Sequence, residues 1–552
     1  MALGLLLTVL PASASEPLNR AIDRLIAAKA GGSLAVRSDD AEFFRRVHLD
    51  FSGRIPAAAE VRAFLGNRSA DKRSLLIDEL LASADFATHW TDRLTAMLLE
   101  RQNLGKVSEE AWRGFLTRSL NGSPKWDGMV RAMIEASGKG DERAAMKFLG
   151  DGDHHRLTEA VGRLFLGMDL KCAKCHDHPS VDEWKQEHYW GLFAHLKPTK
   201  AATDTTDKKV YFVEELPSAK VEFQSVFSTA KESTGPRLPG SVEVDIPQFE
   251  KGQEFEKPAV DGLPAVPKFR PREILATRLT SADNPYFVRN SVNRIWFLLM
   301  GRGLSHPLDE VHSGNPPSHP ALMERLGKEF VARRFDLKWL LREIALSESY
   351  QRSSRLPEGV KSVEATSYRT AVPKGLTPRQ LLHAILVATG NLERVKTLKM
   401  PGSAPEASKF DRRGYFTGTN RELPSSLDEI IAVFVETFGQ PPGVAEVDFT
   451  PGLNQSLFLM NDRLILDWLR PHRDPLVHRG NLAHRLSQLE TTRAIAEELY
   501  LSVLARFPQV SELREVDDYL RQHETHDETG REAAFGDLAW ALLTSTEFRL
   551  NH

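Results

Sequence analysis

Helical periodicity runs along this 552-residue chain on both sides of one interruption, and that break limits the folds open to it. Apolar residues recur at i, i+3 and i+4 up to residue 196 and again from Pro271 onward, the spacing of a helix with one buried face. Leu18, Ile22, Leu25 and Ile26 predict a helix over 17–35, and Phe43, Phe44, Val47 and Leu49 form the next stripe. Pro56 is placed to open a further helix that buries Val61, Phe64 and Leu65. Leucines and an isoleucine fill 73–82, Trp90, Leu94, Met97 and Leu98 follow, and 108–120, 125–137 and 156–168 also read as helices. The stretch Lys197 to Arg272 is different: rich in Pro, Thr, Lys and Glu, with β-like runs at 209–213 and 219–226 and turns at Gly235-Pro236, Pro239-Gly240 and Gly262-Leu-Pro264. Beyond it, helices are expected at 274–279, 287–299, 320–333, 337–347, 378–389, 426–438, 453–469, 491–505 and 530–545, with Asp336 and Ser425 or Ser426 as N-caps. A chain of this length exceeds one hydrophobic core. The expectation is a mainly α fold: two α-helical domains, 16–196 and 271–552, with a small β-rich insert at 197–270.

The N-terminal run Met1-Ala-Leu-Gly-Leu-Leu-Leu-Thr-Val-Leu, then Pro-Ala-Ser-Ala-Ser15, has the apolar core and small-residue end of a secretory signal. It lacks the basic start, which places the true start upstream of Met1; the other reading is a buried N-terminal helix. No segment has the roughly 18 uninterrupted apolar residues of a membrane span. An exported protein of the periplasm or cell surface is expected. With 72 basic and 75 acidic side chains the formal charge is −3, and nothing electrostatic points to nucleic acid as a partner. Two cysteines do not make a disulfide scaffold in a chain this long.

Both cysteines stand in Cys172-Ala-Lys-Cys175-His176. That spacing suits c-type haem: two thiols bond to the two vinyl groups from one turn, and the next His ligates the iron. Export agrees, because haem c is attached outside the cytoplasm. The second axial ligand is not evident. No Met lies between Met168 and Met300, which leaves those two, His154 and His155, or His188 and His195, the last two seven apart on a helix expected to start near Pro179 and to share a face with Trp184. The rival is a metal held directly by the cysteines with His176, His178, His188 or His195, a donor set that suits tetrahedral zinc. A redox-active Cys172–Cys175 pair and a structural disulfide are further alternatives.

Stretches around these positions resemble the DUF1549 family of exported planctomycete cytochrome-like proteins. They are Phe44-Arg-Arg-Val-His48 through Ser52-Gly-Arg-Ile-Pro56, Glu60 to Leu65, Ile77 to Ser83 with His89-Trp90, and above all Phe165-Leu-Gly-Met-Asp-Leu-Lys-Cys-Ala-Lys-Cys-His-Asp-His-Pro179, followed by Trp184, Tyr189 and Gly191. The second half is similar to DUF1553 in Asn284 to Trp296, Gly301-Arg-Gly-Leu304, Asn315 to Pro320, Phe335 to Lys338, Ser347 to Gln351, Leu376 to Gln380, Phe438 to Pro442, Asn461-Asp462, Leu504 to Pro508 and Leu542 to Phe548. The resemblance covers most of the chain outside the insert and implies a cytochrome-like character without fixing a reaction.

Elsewhere, Asp309, Glu310, His312 and His319 cluster near an Asn315-Pro-Pro-Ser-His-Pro320 turn that reads first as a loop opening a helix. Arg294 is expected to meet a carboxylate in the core, and His48, Asp50 and Arg54 to be structural. No phosphate loop, nucleophile elbow or His-Glu-x-x-His is present. The reading is a protein that binds haem c through Cys172, Cys175 and His176, for electron transfer or redox sensing beside a redox or polysaccharide-processing partner. The alternatives are a zinc-stabilised binding protein near cell-surface polysaccharide, or an enzyme whose site lies between the domains and takes in the 306–319 loop.

Overall fold

The computed structural model describes residues 16–552 apart from 106, 139, 204–208, 216–219, 259–264, 398–409, 419–421, 425, 446–451, 472–479 and 524–527. The N-terminal apolar run, and Ser425, lie outside the described residues. Helix accounts for 56% of the chain and strand for 7%, so the fold is mainly α, with small two-stranded sheets between the helical regions.

Local chemistry sets the helix ends. Asp39 accepts from the Glu42 amide at the start of the Asp40–Ser52 helix, and Ser83 accepts from Phe86 at the start of Ala84–Leu99. Asn284 caps the Pro285–Met300 helix, Pro285 fills its first turn, and Gly301 at φ 76 closes it. Thr377 and Gln380 form a capping box at the start of Pro378–Thr389. Within the insert, Thr199–Thr203 pairs antiparallel with Val210–Glu214, and Val221–Gln224 with Lys231–Thr234. A buried ion pair of Arg272 with Glu214, 3.1 Å, fastens the first hairpin to the helix that follows the insert.

Among the described residues two hydrophobic cores form. The first takes side chains from Leu18 to Tyr368, with Leu501 and Ala505; the second takes Leu376 to Phe548, with Leu49 and Ile55. The Pro285–Met300 helix is buried on nearly every face inside the first core. Two of its polar residues find partners there: Ser291 Oγ accepts from Trp126 Nε1 at 2.9 Å, and Asn290 Nδ2 donates to the Leu164 carbonyl at 2.7 Å. A fully buried aliphatic or aromatic side chain stabilises by about 1.5–3 kcal/mol, so this helix is a large share of the first core's stability.

Several elements differ from the periodic reading. The run 453–469 is two helices, Leu453–Asn461 and Arg463–Leu469, because Asp462 is extended and caps the second through the Leu464 amide. Val510–Gln522 is a helix that periodicity missed, since Val516 alone of its residues is buried. The helix that carries His188 and His195 starts at Gln186, not near Pro179.

Candidate functional site

The segment leading into the cysteines is held by the second half of the sequence. After a helical stretch that ends in a π turn, Gly162–Leu166, Gly167 takes φ 72. A Cβ on Gly167 would lie 2.7 Å from Val311 Cγ2, so both the turn and the close approach need glycine. Met168 then bridges Glu310, the Val311 amide donates to the Gly167 carbonyl at 2.9 Å, and the Asp169 amide donates to the Asp309 carbonyl at 3.0 Å. Arg294 pairs with Asp309 as expected, and Arg163 joins Asp309 to Glu100. Asp309 is therefore committed to arginines, and the 309–311 backbone is one side of this joint.

Cys172–Lys174 is a single tight turn, closed by the Cys175 amide donating to the Cys172 carbonyl at 3.2 Å. Ala173 is buried beneath it, and both thiols are free and exposed. The Gln186–Leu196 helix grips the turn from one side: Trp190 Nε1 and Gln186 Nε2 both donate to the Lys174 carbonyl, at 3.2 and 3.1 Å. The second hairpin of the insert closes on it from another. Val226 donates its amide to the Cys175 carbonyl at 3.0 Å, and the Phe227 ring lies 5.2 Å from that of His176. Val226 and Phe227 are 66% and 83% exposed, so an apolar surface stands beside the imidazole.

His176 is half-buried, and its Nδ1 lies 2.6 Å from the Asp177 carbonyl oxygen. A carbonyl only accepts, so Nδ1 carries the proton and Nε2 keeps its lone pair, the tautomer a metal-ligating imidazole needs. The neighbouring histidines do not join it around one point. His178 is half-buried, packs edge-on against Trp184 at 5.1 Å, and accepts at Nδ1 from the Ser180 amide. His188 sits in the first turn of its helix and accepts from the Lys185 amide, with burial holding its pKa down. His195 is fully buried, 2.8 Å from the Pro271 carbonyl, and burial pushes it down to about 4. Among the described residues no group of three or more His, Cys, Asp and Glu side chains is placed to hold a metal ion.

The side chains expected as second axial ligands are engaged elsewhere. Met168 and Met300 are buried in the first core, His154 Nε2 meets the Thr199 carbonyl at 2.7 Å, and His155 Nδ1 meets the Tyr189 hydroxyl at 2.6 Å. In the 306–319 loop, His312 packs edge-on against Trp184 at 5.4 Å, and His319 is buried against Tyr368. Sequence reasoning missed Gln186, Trp190, Val226 and Phe227 as neighbours of the cysteine turn. An apolar Val-Phe pair between Ser225 and Ser228 in a turn was the one local hint.

Comparison with known families places these elements. A model named PSCyt2, described as a protein of unknown function (DUF1549), matches residues 21–201, and one named PSD1, described as a protein of unknown function (DUF1553), matches residues 271–520. The first name marks a planctomycete cytochrome-like domain, and the cysteine turn lies within its match. No curated protein and no solved structure matches the chain.

Proposed function

This chain belongs to the PSCyt2 (DUF1549) and PSD1 (DUF1553) families, and from that premise we propose that it is an exported protein carrying haem c on Cys172 and Cys175, with His176 as proximal ligand. Its role is electron transfer or redox sensing beside a redox or polysaccharide-processing partner, in the periplasm or at the cell surface.

The observation that carries this reading is the His176 hydrogen bond to the Asp177 carbonyl, which leaves Nε2 available next to two exposed thiols on one turn. Cys172 and Cys175 would hold the haem through thioether bonds to its two vinyl groups, each thiol giving its proton to the other vinyl carbon. Val226 and Phe227 offer the apolar contact that a porphyrin face or edge takes up. Haem would supply one-electron chemistry. The chain's own part is to fix the turn, through Trp190 and Gln186, and to orient the imidazole. Direct zinc binding has less support, because His178, His188 and His195 are each turned to other partners. Export is supported by the N-terminal apolar run, and among the described residues no helix is long and apolar enough to cross a membrane.

The test is expression with an export signal in a host that matures c-type cytochromes. A reduced pyridine haemochrome spectrum and a metal analysis are then taken on one purified sample. A c-type spectrum that vanishes in Cys172→Ala and in Cys175→Ala is expected. About one zinc per chain without haem, or neither, would overturn the reading.

A further inference from the structure

Away from the cysteine turn, a cavity of about 420 Å³ opens where the two halves of the sequence meet. Its walls come from the Ala84–Leu99 and Glu109–Asn121 helices on one side and from Pro285–Met300, Pro378–Thr389 and Leu427–Phe438 on the other. A second cavity of about 300 Å³ adjoins it, since Arg93, Phe297, Thr377 and Pro378 line both. A volume in this range suits a small organic ligand.

Two chemistries are combined in the larger cavity. One wall is apolar, with Met97, Leu99, Phe297, Leu298, Leu308 and Val435. The polar lining holds six cationic side chains against the three carboxylates Asp92, Glu100 and Glu109. A positive excess concentrated there, in a chain of net charge −3, is a local property of this site. Asp92 is shared, with Arg113 at 2.5 Å and Arg379 at 3.4 Å, and Arg379 also meets Glu109 at 3.6 Å. Arg294 is buried; its Nη2 serves the Arg163 carbonyl and Asp309, while its Nε has no acceptor among the described residues. The lining includes Glu100 and Arg101, consecutive non-glycine residues at φ 46 and 58. Glu100 is held there by Arg163, and Arg101 by the Gln440 carbonyl. Backbone kept in this region by its surroundings is a recurrent feature of ligand clamps.

We propose that this cavity between the two halves binds a small amphipathic organic anion, its carboxylate or sulfonate against Arg93 and Arg379 and its apolar body against Met97, Phe297 and Leu298. The site is separate from the cysteine turn, and its occupancy does not depend on haem. Arg93 is set into the wall by its bond to the Leu298 carbonyl, and Arg379 stands in the first turn of its helix, where the helix dipole also favours an anion. A guanidinium presents two parallel donors to a carboxylate, which a neutral ligand cannot use as well.

The experiment is calorimetric titration of the full-length protein with 2-naphthoate and, in parallel, with 2-naphthalenemethanol, its neutral counterpart. Saturable one-to-one binding of the naphthoate is expected, at least about tenfold tighter than the alcohol, a factor set by one charge-assisted contact. Arg93→Gln and Arg379→Gln should each weaken naphthoate by about tenfold and bring it near the alcohol. Ala96→Trp keeps the charges and fills the cavity, and should abolish binding of both. Thermal unfolding of each variant confirms that it is folded. No saturable binding, equal affinity for the alcohol, or binding unaffected by the three variants in folded protein would each overturn the proposal.

Discussion

Asp50 shows how one buried carboxylate is made tolerable. It accepts from Lys374 Nζ at 2.5 Å, Asn551 Nδ2 at 2.8 Å and the Tyr350 hydroxyl at 2.8 Å, three donors distant in sequence. Burial pulls Lys374 down to about 8 even with that partner. Asp50→Ala leaves an uncompensated buried ammonium, and its expected cost is about 3–5 kcal/mol in urea unfolding. His48 carries a second consequence. Burial first, and then Arg54, depress its pKa to about 4. The folded chain keeps the imidazole neutral, whereas the unfolded chain takes a proton below the ordinary value of about 6.5. The stability tied to His48 is thus full above that value and is lost as pH falls towards 4, by up to about 3 kcal/mol. His48→Gln should remove that portion of the acid dependence in unfolding measured between pH 4 and 7. The sequence marked Asp50 and His48 as structural, yet it could not give the partners, because Lys374, Tyr350 and Asn551 lie some 300 to 500 positions away.

At the scale of elements, helices with a wide apolar stripe and a cap were legible. Leu337–Leu346 begins after Asp336 and Leu427–Phe438 after Ser426, where the sequence placed those caps. Helices with one buried residue, such as Val510–Gln522, were not. The cysteine turn was legible from spacing, but its supports were not, because they come from a helix face and a hairpin tip that only the fold brings together. Trp190→Phe keeps the ring against Phe223 and removes the donor to the Lys174 carbonyl. The expected result is a lower fraction of chains with covalent haem, read as the ratio of haemochrome to protein, with stability down by about 1 kcal/mol. Gly167→Ala is expected to cost more, about 2–3 kcal/mol, since it puts a Cβ against Val311 and leaves the φ that glycine alone adopts readily.

For the whole molecule, the two cores explain which fragments can stand alone. The first family match ends at residue 201, whereas the first core still needs the helices Pro285–Met300, Pro320–Ala332 and Leu337–Leu346. A fragment covering 16–201 is expected to show no cooperative thermal transition by circular dichroism and to be digested rapidly by protease. A sharp two-state transition in that fragment would contradict the shared core. Composition and periodicity gave the helical halves and the insert between them, but a shared core leaves no local mark, because each helix shows the same buried stripe whichever half covers it.

The pairing of Met168 with Glu310 has a consequence for heredity. A strand of backbone on one side of the joint positions the cysteine turn, and the other side is encoded some 140 codons downstream. Separated by recombination, each half would lose its counterpart at once, so the two modules should be transmitted as a single reading frame. The insert between them also packs on the cysteine turn, through Val226 and Phe227, so the hairpin that carries these two residues belongs to the same inherited unit.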